Sequence, residues 1–235
     1  MNQDWLSARR LLGRVVFVSV LAAAAPAPIE AAPISLTISG TIASIEGNLD
    51  THGAFAPGDT FSLTYTVDSG SPDSDMRTWV GTYFQFGMSP RVDVRLGTWF
   101  ASGVSSDHGA IQVANDIPPS SPEVAGWDIY LAYSFSHFGQ IGEPLGEFWF
   151  NAFWFQFSDT SGTAFTSDAL DQAGLDLSRF DGSNSWIGFN TASDTADVHL
   201  TAHSISVQTV PEPASIGLVA LGLAGANCFR RRGRR

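Results

Sequence analysis

Between residues 33 and 209 apolar side chains recur at every second position, and that period confines the chain to strands. Ile34, Leu36 and Ile38 alternate with Ser and Thr, and Phe61, Leu63, Tyr65 and Val67 repeat the pattern after the turn at Pro57-Gly58-Asp59. Successive strand residues point to opposite faces, so each run places one face in a core and the other in water. Further runs follow at residues 79–86, at Val92-Val94-Leu96, at Ile111-Val113, at Trp127-Ile129-Leu131-Tyr133 and at residues 186–189. Clusters of Gly, Pro, Ser, Asp and Asn separate them, as turns require. The run over residues 148–157 is apolar on both faces and predicts a central strand buried between layers. In the last run Val198, Leu200 and Ala202 share one phase while Ile205 and Val207 take the other, so a β-bulge near His203-Ser204 is expected. Only residues 167–174 suggest a helix, with Ser167 as its N-cap. About nine or ten short strands at this spacing predict an all-β, antiparallel fold, either a two-sheet sandwich or a jelly roll.

Motifs that carry chemistry are sparse in this body. There is no G-x-S-x-G elbow, H-E-x-x-H, P-loop or cysteine pair. The expectation is a non-enzymatic protein without a resident cofactor. His199 and His203 are four residues apart on a strand, about 13 Å at roughly 3.3 Å per residue, too far for one zinc unless the bulge collapses the distance. Glu143 and Glu147 flank a Pro-Leu-Gly turn, a weak echo of the paired carboxylates of glycoside hydrolysis. Asp68, Asp73 and Asp75 crowd one loop with hard oxygen ligands of the kind calcium takes, although their spacing fits no EF-hand. Trp99, beside Gly97 and Gly103 in a less regular stretch, is the tryptophan expected to be exposed and able to stack on a ligand such as a sugar. A carbohydrate-binding module would show itself by a solvent-exposed aromatic row on one sheet face.

The two ends of the chain carry a different kind of information. Arg9, Arg10 and Arg14 precede an apolar stretch at residues 15–25 and small residues through Ala32, the layout of a secretory signal peptide over residues 1–32. Such a leader implies passage through the Sec translocon and removal by signal peptidase. At the other end, residues 210–235 divide into three parts. The turn Pro211-Glu212-Pro213 cannot continue a helix or strand. Residues 214–229 carry no charge and would extend about 24 Å as a helix, a short single transmembrane span. Arg230, Arg231, Arg232, Arg234 and Arg235 follow, the cationic flank that stays cytoplasmic. Cys228, at that same end of the run, is the single cysteine, so no intrachain disulfide is possible.

This tripartite tail resembles the PEP-CTERM sorting signal of bacteria with an outer membrane. The resemblance implies exosortase, an integral-membrane cysteine peptidase, as the processing partner. It also implies residence in the inner membrane through the C-terminal helix before processing, then placement at the cell surface or in a matrix of extracellular polysaccharide or biofilm. Residues 58–75, GDTFSLTYTVDSGSPDSD, with Asn115-Asp116, resemble the body domain often found ahead of this tail. That second likeness implies a β body and carries no catalytic residue.

Charge agrees with export. Eight of twelve Arg lie in the two end segments and lysine is absent, which leaves four Arg against twenty acidic residues in the body. A net charge near −16 repels polyanions, so nucleic acid is excluded as a partner.

Overall fold

The structure is a computed structural model that describes residues 33–85, 90–104, 109–121, 123–135, 144–170 and 175–210. It is all-β. Ten strands follow in chain order: β1 (Ile34–Glu46), β2 (Thr60–Val67), β3 (Val80–Phe84), β4 (Arg91–Leu96), β5 (Trp99–Val104), β6 (Gly109–Ala114), β7 (Asp128–Ser134), β8 (Trp149–Asp159), β9 (Gly182–Asn190) and β10 (Thr195–Thr209). The expected signal peptide and C-terminal helix fall outside the described residues.

The strands do not form two separate sheets, and here the sandwich expectation is corrected. All ten belong to one antiparallel sheet in the order β3-β6-β7-β8-β9-β10-β1-β2-β4-β5. β1 and β10 join its halves, pairing along their length from Ile34↔Thr209 to Glu46↔Asp197. Rings from the two halves meet across the interior: Phe61 of β2 on Phe155 of β8 at 5.9 Å, Tyr65 on Phe153 at 5.1 Å, and Trp99 of β5 on Phe189 of β9 at 5.2 Å. The sheet is therefore curled, so that its inner face closes on itself over a single aromatic core.

Local register explains which residues enter that core. His203 is the extra residue where Ser39↔Ser204 gives way to Gly40↔Ala202, which is the expected bulge, and Ile205 and Val207 accordingly pack on the core beyond it. A second bulge, unmarked in the sequence, leaves Asn151 of β8 without a partner between Phe150↔Phe189 and Ala152↔Gly188. Beyond it Phe153, Phe155 and Phe157 point inward and are buried, while Trp154 points outward and is partly exposed. Thus β8 is central, but among the described residues no second layer buries its outer face. On β7 the inward phase is Asp128, Tyr130, Ala132 and Ser134, not the Trp127-Ile129-Leu131-Tyr133 set. The outer face of β7 is instead covered at one end by Ile117, Val124 and Trp127.

Residues 167–170 are not helical, which corrects that part of the expected helix, and residues 171–174 are outside the described set. Ser167 does accept a hydrogen bond from Ala169 N–H, at 3.4 Å. Among the described residues one 3₁₀ turn occurs, Leu177–Arg179, capped by the Asp176 side chain.

Candidate functional site

The acidic loop that suggested calcium is organised by internal hydrogen bonds. Asp68 accepts from Gly70 N–H at 2.7 Å, and Asp73 accepts from the amides of Asp75 and Thr82, each at 2.9 Å. Asp75 faces Arg77, which donates to it from Nε at 2.8 Å and from Nη2. That guanidinium holds the Asp75 carboxyl well below the ordinary carboxylate range. The three carboxylates are not brought together as a metal group, and no cluster of three His, Cys, Asp or Glu side chains able to hold a metal occurs among the described residues.

Trp99 is not exposed, contrary to expectation. It is 7% exposed and meets Phe150 and Phe189 edge-on. The reason is β5, a strand that the sequence pattern conceals. Gly97 turns the chain with φ 52° and hydrogen-bonds through its N–H to Thr60, so Leu96↔Trp99 closes a hairpin that throws Trp99 inward and Phe100 outward.

Partly exposed aromatic residues lie elsewhere, on the outer face of β7, β8 and β9. The register places Tyr133 beside Trp154 and Trp154 beside Trp186, with His199 of β10 next in the same row. The Tyr133 and Trp154 rings stand 5.5 Å apart and 33° from parallel. Phe135, 47% exposed, touches all three, with ring centroids 5.4, 5.7 and 6.1 Å from Tyr133, Trp154 and Trp186. Trp186 leans over Gly188, where an added Cβ would lie 3.0 Å from its Cζ3, 3.3 Å from Asn151 Oδ1 and 3.4 Å from Asp197 Oδ1. Burial raises the Asp197 pKa, with Glu46 adding to the rise and His199 opposing it.

A second row runs alongside. Thr82, Gln112, Leu131, Gln156 and Asn184 are consecutive cross-strand neighbours on this same face, two residues along from the aromatic row. Gln112 Nε2 donates to Thr82 Oγ1 at 3.0 Å, and Thr82 Oγ1 donates to Asp75 Oδ2 at 3.3 Å. Around them Arg77, Met76, Phe84 and Tyr133 wall an open depression of about 450 Å³. The depression and the aromatic row share Tyr133.

At the far end of β7 and β8 two buried carboxylates form a cross-strand pair that the sequence reading missed. Asp128 accepts from the amides of Asp116 at 2.9 Å and Phe165 at 2.7 Å. Asp159 accepts from the amides of Ser161, Thr163 and Ala164 at 2.8, 2.7 and 2.8 Å. Desolvation acts to raise the Asp159 pKa, but these hydrogen bonds together outweigh it and hold the pKa down to about 2. Their work is architectural, fixing the loop at residues 160–165. Asp128 was hidden because the alternation Trp127-Ile129-Leu131-Tyr133 puts it in the outward phase, and only the strand's actual phase turns it inward.

The sorting residues Pro211, Glu212, Pro213, Arg230, Arg231, Arg232, Arg234 and Arg235 lie outside the described residues; what precedes them does not. β10 ends at Thr209, and Val210 N–H bonds the Pro33 carbonyl at 2.7 Å, so the tail leaves from the point where the body also begins. Residues 209–235 match the PEP-CTERM protein-sorting motif. The match spans the Pro-Glu-Pro turn, the apolar run and the arginine cluster. No curated protein and no solved structure matches the chain. The PEP-CTERM signal marks the chain as an exported protein that exosortase processes at the membrane.

Proposed function

We propose that this is a non-enzymatic surface protein whose β body exosortase releases into the extracellular polysaccharide around the cell. The observation that carries the reading is the PEP-CTERM motif at residues 209–235. Its parts have a physical logic. Pro211 and Pro213 keep the backbone extended and without two amide donors at the outer membrane face, which leaves it open to a peptidase. The short apolar run and the arginines fix its depth in the bilayer. The body is suited to the space outside: its strong negative charge favours dispersal, and it depends on no disulfide.

Replacing Pro211, Glu212 and Pro213 with Ala tests this reading. The substitution lets the apolar helix continue outward, so full-length protein should accumulate in the inner-membrane fraction of a strain that carries exosortase. Substituting Arg230, Arg231 and Arg232 with Ser should do the same by loosening the depth of the run. Unchanged release of both variants would contradict the proposal.

A further inference from the structure

The outer face of β6, β7, β8 and β9 combines two rows of opposite chemistry at a spacing that suits a polymer of sugar rings. One row is aromatic: Tyr133, Trp154 and Trp186. The other presents amide side chains, Gln112, Gln156 and Asn184, on the same face two residues along each strand, about 6.7 Å away. Successive members of the aromatic row are separated by one strand spacing, about 4.8 Å, close to the length of one pyranose unit, whereas in the amide row Leu131 occupies the place between Gln112 and Gln156.

The chemistry of these rows selects an occupant. A pyranose has an apolar C–H face and a rim of hydroxyls; the face stacks on an indole or phenol ring while the rim reaches amides that both donate and accept. A lipid surface would need a continuous apolar patch, and the amide row interrupts this one. An acidic polymer would meet Glu46 and Asp197 at the β10 end of the face, on a body of net charge near −16. Features of the site also look built. Gly188 provides the gap over which Trp186 lies, and the Gln112–Thr82–Asp75–Arg77 chain of hydrogen bonds fixes the polar end.

We propose that this face binds a neutral polysaccharide, with sugar rings stacked on Tyr133, Trp154 and Trp186 and their hydroxyls bonded to Gln112, Gln156 and Asn184. The site rests on the reading of the body as a resident of extracellular polysaccharide, and specifies the class of glycan that would retain it there.

The test is affinity electrophoresis of the full chain in detergent micelles through gels containing barley β-glucan, galactomannan, dextran or alginate. At least one neutral glycan should retard the wild-type chain and alginate should not. Trp154→Ala and Trp186→Ala should each weaken binding by about tenfold, the loss of one stacking contact, while Phe100→Ala on a different strand should leave it unchanged. Gln156→Ala and Asn184→Ala, which truncate amides on the solvent side, should weaken binding severalfold and decide the matter if a Trp variant fails to fold. Retardation by alginate alone, by no glycan, or equally in wild type and all four variants would overturn the proposal. The assay reads uncleaved chain, so failure of exosortase processing leaves its outcome unaffected.

Discussion

Truncating Trp99 should be among the most damaging single changes in the body, whereas truncating its neighbour Phe100 should be mild. Trp99 is 7% exposed and packs edge-on against Phe150 and Phe189, where the two halves of the curled sheet meet. A tryptophan buries roughly 150–250 Å², which at about 25 cal/mol per Å² corresponds to about 4–6 kcal/mol. Partial collapse of the surroundings brings the expected cost of Trp99→Ala to about 3–5 kcal/mol. For a body of this size that lowers the melting temperature by roughly 6–20 °C. Phe100 is 48% exposed and lies under the Arg95 guanidinium, 5.6 Å from the ring centroid. Phe100→Ala should therefore cost no more than about 1.5 kcal/mol. Trp154→Ala falls between them at about 1–3 kcal/mol, because water fills the space left at the surface, and the change also removes an indole N–H buried without a partner. Urea unfolding of the three variants measures all of this. Equal losses at positions 99 and 100 would mean that β5 has the opposite phase, and a larger loss at 154 than at 99 would mean that Trp154 belongs to the core.

Asp159→Asn should lower the melting temperature at neutral pH and flatten its fall in acid; because the native pKa is depressed to about 2, the wild-type contribution is complete above the unfolded value near 3.9 and is lost as pH drops towards 2. Tyr65→Phe should be neutral or stabilising in the same melt, since the phenol oxygen is buried without a hydrogen-bond partner and burial pushes its pKa up. Gly40→Ala should destabilise by several kcal/mol, because a Cβ would lie 1.9 Å from the Thr201 carbonyl oxygen at the β1–β10 bulge. Millimolar calcium should leave the melting temperature unchanged, as Asp75 is committed to Arg77; a rise of several degrees would show that the loop at residues 68–75 rearranges around an ion.

Much of the strand content was legible because the alternation in β1, β2, β4 and β6 is carried by consecutive residues of one strand. The His203 bulge was legible for the same reason: Leu200 and Ile205 cannot share a face without an extra residue. What escaped depended on partners distant in the chain. Whether two sheets or one result is decided by β1 pairing with β10 about 165 residues away, and no local pattern in either strand names the other. Trp154 was expected to be buried because residues 148–157 are apolar on both faces, and apolarity alone does not show whether a layer covers the outer face; which residues of β8 face outward is settled at Asn151, the residue left out of the ladder, which nothing in Trp149-Phe150-Asn151-Ala152 marks. Trp99 was misplaced because Trp99-Phe100-Ala101-Ser102 has too little contrast between its faces to show which one is inside. The outer aromatic row followed from neither composition nor spacing, since Tyr133, Trp154 and Trp186 come from three separate runs and only cross-strand register aligns them.

Mass spectrometry of the C-terminal peptide from surface-released protein tests the central claim most directly. In a strain with exosortase, the account predicts a mature chain ending at or near Pro211-Glu212-Pro213, without the apolar run or the arginines. A released chain whose last peptide still ends in Arg235 would contradict it.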